Sequence, residues 1–182
     1  PLQYRFSKFD RLLGGCLVYR GWSYAGYKLG DPMILLSGIA LGMNYKNTAI
    51  RKFHETVRNL KKLSSYAMDE KSLTRYVDVI NRFRPKFIRG LPASLFMFSQ
   101  WIEKKELTIH KPLAIFTTAE TLFPYMREKI GQIFNAPVFD GYGLNDGGIS
   151  TYELPNHSGM RIDTERAVLE VVDDQGKQVT DG

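Results

Sequence analysis

Cysteine is nearly absent from this sequence, which contains only Cys16. A single thiol cannot form a disulfide within the chain, and it cannot build a metal site of the Cys-x-x-Cys type. Because Cys16 lies in an apolar run, residues 16–19, we expect a small buried side chain rather than a nucleophile. The scarcity of cysteine also predicts a cytoplasmic location.

A long apolar run is missing as well. No stretch approaches the roughly 20 residues needed to span a bilayer, so we expect no membrane span. The first residues do not follow the basic and then apolar pattern of a signal peptide, and they include no initiator methionine. Together with the turn-like final residues, this predicts that both ends are cuts through a longer protein.

The residues that are present favour a globular domain over a disordered segment, because 43% are hydrophobic and 13% are aromatic. The net charge of +6 suits nucleic acid or a polyphosphate ligand. However, the basic residues are spread between apolar helical positions, and neither a zinc-finger spacing nor an RNA-binding aromatic motif occurs. We therefore expect a solvated basic surface and no nucleic-acid partner, with RNA or DNA binding as the weaker alternative.

Short apolar runs alternate with helical periodicity along most of the chain. Strands are predicted at residues 33–36, 62–66, 87–89, 113–116 and 137–139, and helices at residues 7–20, after Asn47, after Asp69, from Pro92 and from Pro124. This alternation predicts an α/β fold with a parallel or mostly parallel sheet flanked by helices. The tail is β-rich, with a strand predicted at 168–172 and a hairpin turn at 173–177. The predicted organisation is an α/β core, residues 1–150, and the start of a β-rich subdomain, residues 151–182.

Three segments after predicted strands combine small and polar residues, which is the composition of a small-molecule site. They are residues 89–94, 117–121 and 140–148. In the third segment, glycines flank Tyr142, whose flat face suits a planar ligand, and Asp146, whose carboxylate suits a hard cation. The residue types alone leave an equal alternative, a tight strand exit in which the glycines only adopt positive φ.

Other candidate residues have ordinary explanations. Glu120, by its type alone, is better explained as a surface carboxylate or as a residue at the start of the following helix. The three histidines, His54, His110 and His157, lie far apart in the sequence and match no metal or nucleophile spacing. The sequence contains no Gly-x-Ser-x-Gly motif and no phosphate loop ending in Lys-Ser/Thr.

The order of these segments resembles the adenylate-forming enzyme superfamily. The similarity is carried by Ala-Glu-Thr at 119–121, Met-Arg on a helix at 126–127, and Asp-Gly-Tyr-Gly-Leu-Asn-Asp at 140–146. It is specific to the phenylacetate–coenzyme A ligase branch and the related capsular-polysaccharide biosynthesis proteins. Residues 19–31 and 89–95 resemble the same branch, so the likeness spans nearly the whole chain.

The resemblance implies a two-step reaction. ATP and a small carboxylic acid give an acyl-adenylate and pyrophosphate, and a thiol, commonly that of coenzyme A, then displaces AMP. It implies ATP or AMP, Mg²⁺ and coenzyme A as ligands of the full-length protein, and nucleotide and acyl binding by residues 1–150.

The resemblance also implies the site residues. Ala119, Glu120 and Thr121 would line one side of an adenine pocket, and Tyr142 would stack on the adenine ring. The remaining nucleotide-binding positions would be Asp140, Gly141, Gly143 and Asn145, the last of them near the α-phosphate. Asp146 takes the place of a magnesium-binding glutamate and is one methylene shorter.

Several parts of such a ligase are expected to lie outside this chain. The family's phosphate loop would precede the first residue, and its ribose-binding aspartate and lid lysine would follow the last. We therefore expect the chain alone to have no ligase activity and no catalytic residue. The alternative function is a non-catalytic nucleotide- or acyl-binding module of a polysaccharide biosynthesis system.

The acyl pocket is less defined by the sequence. The candidates for an apolar lining are Trp22, Tyr24, Leu91 and Phe116, and each fits a core position equally well. The identity of the acid stays open at this point.

Overall fold

The structure is a computed structural model that describes residue 5, residues 7–38, residue 53, residues 55–144 and residues 148–179. The main helices of the described residues are α1 (Lys8–Ser23), α2 (Glu70–Phe83), α3 (Pro92–Lys104) and α4 (Pro124–Phe134). The strands are β1 (Met33–Ser37), β2 (Leu60–Ser64), β3 (Phe87–Gly90), β4 (Ala114–Thr118), β5 (Val138–Leu144), β6 (Ile149–Glu153) and β7 (Met160–Ile162). Among the described helices, none has the length and apolar character that a membrane crossing requires.

The strands form one sheet in the order β2-β1-β3-β4-β5-β6-β7. The first five strands in this order pair in parallel, β6 pairs antiparallel with β5, and β7 pairs antiparallel with β6. The predicted α/β fold with a mostly parallel sheet is confirmed. The sheet continues through residue 150, the predicted boundary, because β6 pairs with β5. The division into a core and a subdomain stays a prediction.

Local sequence signals set the helix ends. The carboxylate of Asp69 accepts a hydrogen bond from the Ser72 amide at 2.9 Å and so caps the start of α2. Pro92 and Pro124 open α3 and α4, where the missing N–H of proline does no harm. These three helix starts are the ones that the sequence predicts.

The core occupies both faces of the sheet, as expected for parallel strands whose side chains alternate between faces. On one face, Ile34, Ile88 and Ile115 pack against apolar residues of α2, α3 and α4. On the other face, α1 brings Trp22 onto a cluster with the strand residue Phe116, with 5.7 Å between the ring centroids. The second face is therefore covered by aromatic rings from α1 and by Tyr27, which follows that helix.

An ionic cluster holds α1 against the segment after β7. The Arg20 guanidinium forms hydrogen bonds and ion pairs with the buried Asp163 and the exposed Glu165. Ser150 of β6 donates a hydrogen bond to the Asp163 carboxylate at 2.6 Å. The Arg20 guanidinium lowers the pKa of Glu165 to about 2.

The glycine-rich segment after residue 139 is not the loop that the sequence predicts. It continues β5 to Leu144, and Gly141 and Gly143 are paired with Tyr152 and Ser150 of β6. Gly148, by contrast, does have a positive φ, of 72°. A Cβ atom on Gly141 would lie 3.2 Å from the Tyr152 ring, so this glycine permits close packing across the strand pair.

The expectation of a buried Cys16 is wrong, because this thiol is exposed. The buried stripe of α1 contains Leu17 and Gly21, which are four residues apart and share one face of the helix. Cys16 precedes Leu17 by one position, so it points away from that face.

Two further predicted elements agree only in part with the structure. The helix predicted after Asn47 lies largely outside the described residues, and Leu60, expected on that helix, begins β2 instead. In the tail, the strand predicted at 168–172 is reduced to one bridge between Val172 and Gln178, across a turn closed by Asp173.

Candidate functional site

The carboxyl ends of β4 and β5 border a cavity of about 480 Å³, which is within the usual size range of small-molecule sites. Its lining consists of Ala119, Glu120, Thr121, Leu122, Asp140, Gly141, Tyr142, Gly143 and Met160. The structure thus brings together every described residue among the predicted nucleotide-binding positions. Asn145 and Asp146 lie outside the described residues.

The first wall of the cavity follows β4 directly. Ala119 has a φ of 68°, a left-handed conformation that is unfavourable for a residue with a Cβ atom. Such backbone strain persists where the surrounding structure enforces it, and it is common at ligand sites. Here it turns the chain sharply after β4, so that Glu120 and Thr121 reach the cavity.

Glu120 connects this wall to the start of α3. Its Oε2 atom accepts a hydrogen bond from the Ala93 amide at 3.0 Å. The N-cap position of α3, Leu91, has no side-chain cap, so Glu120 supplies the acceptor that this helix start needs. Of the two expectations from residue type, a surface carboxylate agrees with the exposure of Glu120, whereas the helix start that it contacts is that of the preceding helix, α3, and not that of the following one.

The second wall is formed by β5 and holds Tyr142. Tyr142 pairs with Thr151 of β6, and its side chain is 54% exposed, so the ring is not buried in the core. Gly141 pairs with both Thr118 of β4 and Tyr152 of β6. The position of the ring is therefore set by strands on both edges of β5.

Asp140 lies between the two walls. Its Oδ1 atom accepts a hydrogen bond from the Thr117 hydroxyl at 2.7 Å, and its amide donates to the Glu153 carboxylate at 2.8 Å. The Asp140 side chain is consequently held in place while it still borders the cavity.

Glu153 is a residue that sequence reasoning missed. It is buried and receives two hydrogen bonds from the Arg127 guanidinium, at 2.9 and 3.0 Å, with His157 Nδ1 at 3.2 Å. Burial alone would raise the pKa of Glu153, but the bonds from Arg127 and the Asp140 amide outweigh it and lower this pKa. Residue type gives no signal for this role, because it depends on how β6 folds back beside β5.

A second cavity lies on the α1 face, beside the first. Asp140 and Gly141 line both cavities. Trp22 and Phe116, two of the candidates for an acyl pocket, line the second cavity, while Tyr24 and Leu91 are not part of its lining. Its other lining residues are Gly21, Arg89, Thr117, Thr118, Phe139, Tyr152 and Glu153.

The part of the chain that the structure describes contains no cluster of side chains suited to hold a metal ion. The two carboxylates of the first cavity, Glu120 and Asp140, already accept hydrogen bonds from Ala93 and Thr117. The predicted metal position, Asp146, lies outside the described residues.

Solved structures of acyl-CoA ligases share this fold. 2-Hydroxyisobutyryl-CoA ligase, in complex with 2-HIB-AMP and CoA, matches with a TM-score of 0.72 at 15% identity, over 98% of this chain and 39% of that chain. The anthranilate CoA ligase AuaEII, in complex with anthranoyl-AMP, matches with a TM-score of 0.58 at 18% identity, over 93% of this chain and 33% of that chain. An ATP-bound RpMatB–BxBclM chimera also has a TM-score of 0.58, at 15% identity over 95% of this chain and 33% of that chain.

One curated protein is similar in sequence. Protein CapK of Staphylococcus aureus is 31% identical over 86 residues, which cover 47% of this chain and 19% of CapK. No protein-family model matches the chain. At these identities the likeness shows a shared fold, and this chain spans about two fifths or less of the length of each of the three solved structures.

Proposed function

We propose that the full-length protein is an ATP-dependent ligase that activates a carboxylic acid as an acyl-adenylate and transfers the acyl group to a thiol, that of coenzyme A. The observation that carries this proposal is the single cavity shared by Ala119–Thr121 and Asp140–Gly143 at the ends of β4 and β5. Support also comes from the shared fold with ligases that were crystallised with AMP adducts. As a cytosolic metabolite, coenzyme A fits the proposed cytoplasmic location.

In the proposed site, adenine lies between the Ala119–Thr121 segment and the exposed Tyr142 ring. Stacking of a base on an aromatic ring is worth roughly 1–3 kcal/mol. The Oδ1 atom of Asp140 is engaged by Thr117, whereas its Oδ2 atom has no hydrogen bond from the described residues and is proposed to accept one from the base. Gly141 and Gly143 leave the strand surface without side chains, so that a flat ligand can approach the backbone.

The proposed reaction depends on position and charge. An oxygen of the acid attacks the α-phosphorus of ATP and pyrophosphate leaves; the thiol sulfur then attacks the acyl carbon and AMP leaves. A cleft that holds base and acid together raises the rate mainly by orientation and by stabilising the charge that develops. Asp146 is the proposed ligand of Mg²⁺, which would neutralise phosphate charge, since carboxylate oxygen suits this ion.

The nucleotide site is tested with Tyr142→Ala in the full-length protein. We expect ATP and AMP to bind more weakly by roughly 1–3 kcal/mol, measured by isothermal titration calorimetry, because the stacking surface is lost. The matched control is Tyr125→Ala on α4, since Tyr125 is 55% exposed and does not line the cavity. Equal affinities for wild type and Tyr142→Ala would remove Tyr142 from the site.

The 182-residue chain alone is proposed to be inactive as a ligase. The chain spans about two fifths or less of the length of the ligases that share its fold, so the remaining catalytic groups are proposed to lie in other parts of the full-length protein. Release of pyrophosphate by the isolated chain with ATP and any carboxylic acid would contradict this proposal.

A second candidate function is a nucleotide- or acyl-binding module without catalysis, in a polysaccharide biosynthesis system. The resemblance of residues 19–31 to capsular-polysaccharide biosynthesis proteins supports this setting. The two functions differ in one measurement on the full-length protein, the exchange of labelled pyrophosphate into ATP across a panel of acids. Exchange identifies the ligase, whereas AMP binding without exchange identifies the module.

A further inference from the structure

Strand β5 carries two backbone groups that are bonded by side chains rather than by β6. Its register with β6 begins at Gly141, one residue after Asp140. Before that point, the Asp140 amide donates a hydrogen bond to the Glu153 carboxylate at 2.8 Å. The carbonyl of Val138, two residues earlier and on the same edge of the strand, accepts one from the Arg127 guanidinium. Two side chains thus replace a neighbouring strand where the second wall of the first cavity begins.

These two side chains also bind each other. The Arg127 guanidinium donates to both oxygens of Glu153, at 2.9 and 3.0 Å. A bidentate pair of this kind fixes the orientation of the carboxylate as well as its position. Glu153 is only 8% exposed, so water competes little for these bonds. The acceptor of the Asp140 amide is therefore held in a single orientation by a residue of α4.

Asp140 is the residue on which these contacts converge. Its main chain is held through the amide by Glu153, and its side chain is held at Oδ1 by the Thr117 hydroxyl at 2.7 Å. Thr117 is also the β4 partner of Asp140 in the register of β4 and β5. Together the two contacts set the direction of the remaining oxygen, Oδ2, on a residue that lines the first cavity.

The direction of a carboxylate oxygen matters for the choice between purine bases. An ionised carboxylate only accepts hydrogen bonds. The exocyclic amine of adenine donates one, whereas hypoxanthine has an oxygen at the same position, which would face the carboxylate as a second acceptor. A site that is built to bond one polar group rejects an analogue that lacks it, provided that the bonding group is well placed. A well-directed Asp140 is therefore expected to distinguish these two bases, and a poorly directed one is not.

We propose that Arg127 and Glu153 are positioning residues that make the nucleotide site selective for adenine, because they hold Asp140 in the direction that the base requires. Neither side chain lines the first cavity, so both act through Asp140 and not by touching the ligand. The inference rests on the proposed function, since it requires adenine in that cavity. A role of the pair in stability alone would leave the base selectivity unchanged.

The test compares the affinities of the full-length protein for AMP and for inosine monophosphate, IMP, by isothermal titration calorimetry. We expect the wild type to prefer AMP by at least about tenfold, since a hydrogen bond to a charged group discriminates strongly. Arg127→Met should bring this ratio toward one, because the Glu153 carboxylate loses both of its bonds to the guanidinium. Arg127→Lys should keep part of the ratio, since the charge remains without the fork.

The partner carboxylate is tested in the same way. Glu153→Ala should also bring the ratio toward one, because the Asp140 amide loses its acceptor. Glu153→Gln should keep part of the selectivity, since the oxygen of its side-chain amide can still accept that bond.

Lys129→Met is the matched control. Lys129 also lies on α4 and pairs with a glutamate, Glu103 of α3, at 2.8 Å, but neither residue lines the first or the second cavity. We expect this variant to keep the selectivity of the wild type. Melting temperatures identify any variant that fails to fold, and Arg127→Lys with Glu153→Gln carry the test if Arg127→Met and Glu153→Ala do.

A double variant shows whether Arg127 acts through Asp140. Asp140→Ala should lose the selectivity, because the proposed acceptor is gone. Adding Arg127→Met to Asp140→Ala should change the ratio no further, whereas independent effects would add. An additional loss in the double variant would contradict the positioning role.

The outcomes separate the two proposals. A wild type that binds AMP and IMP equally, or an unchanged ratio in a folded Arg127→Met, overturns the inference and leaves the ligase intact. A ratio that falls in Lys129→Met as far as in Arg127→Met also overturns it. Failure of the full-length protein to bind ATP or AMP at all overturns the proposed function, and the inference with it.

Discussion

Ala119 has a strained backbone conformation at the edge of the first cavity. Its φ of 68° lies where an L-residue with a Cβ atom is disfavoured and glycine is not. The hydrogen bond from the Ala93 amide to the neighbouring Glu120 helps to hold the chain in this conformation. The strain is thus maintained by contacts between the two loops that follow β3 and β4.

Substitution at this position tests the strain. We expect Ala119→Gly to raise the free energy of unfolding by about 0.5–1 kcal/mol, because glycine adopts positive φ without penalty. Ala119→Val should lower it by a larger amount, since a β-branched residue fits this region worst. Urea unfolding of the full-length protein measures both changes. The control is Ala67→Gly, at a loop position without positive φ, where glycine should destabilise.

At the scale of elements, helix α3 begins without a cap of its own. Leu91 occupies the N-cap position, and an acceptor comes instead from Glu120, beyond the next strand. A carboxylate is favourable here because the first amides of a helix are unpaired and its N-terminus is electropositive. Through this contact the start of α3 and the first wall of the cavity hold each other in position.

We expect Glu120→Ala to destabilise the protein by about 0.5–1 kcal/mol, because the Ala93 amide loses its acceptor. Glu120→Gln should cost less, since the amide oxygen still accepts the bond without the charge. Thermal unfolding measures the stability of both variants, and Glu128→Ala on α4 is the control. Glu128 is exposed, and among the described residues it accepts a hydrogen bond from Gln132 of its own helix. A loss no larger than that of Glu128→Ala would contradict the capping role.

At the scale of the whole molecule, two carboxylates join distant parts of the chain. Glu153 connects β6 to α4 through Arg127, and Glu165 connects the segment after β7 to α1 through Arg20. The pKa of each carboxylate is lowered in the folded protein, that of Glu165 to about 2. A lowered folded pKa stabilises the fold above the ordinary value of 4.5, and this stabilisation is lost as the pH falls through the folded value.

We therefore expect the free energy of unfolding to fall as the pH decreases below about 4.5, with the loss continuing toward about 2. Glu153→Gln should make this acid dependence shallower, because one of the responsible carboxylates is gone. Urea unfolding at a series of acidic pH values measures the slope. Glu170→Gln, at an exposed tail position, is the control, and an identical slope in Glu153→Gln and wild type would contradict the assignment.

The sequence predicts well those elements whose signals are local. Asp69, Pro92 and Pro124 mark helix starts by their own chemistry, and the apolar run of β4 can be recognised without knowing its neighbours. The grouping of Ala119 with Tyr142 in one cavity was also predicted, because parallel strands end at the same edge of a sheet.

The sequence fails where the outcome depends on a distant partner. The extension of β5 through its glycines requires β6 to fold back beside it, and local propensity argues against a strand there. Cys16 looks apolar in its run, but its exposure depends on which stripe of α1 meets the sheet. The contact between Arg127 and Glu153 likewise arises from tertiary packing that residue types do not reveal.

The strand that carries Tyr142 is tied to β4 along its first half and to β6 along its second, with Gly141 bonded to both. Because of this pairing, β5 cannot move aside without breaking hydrogen bonds of the sheet. If the cavity binds a nucleotide as proposed, we expect any adjustment on binding to occur at the other wall, around the turn at Ala119. The wall formed by β5 is thus a rigid surface, which we expect to keep its shape when a ligand binds.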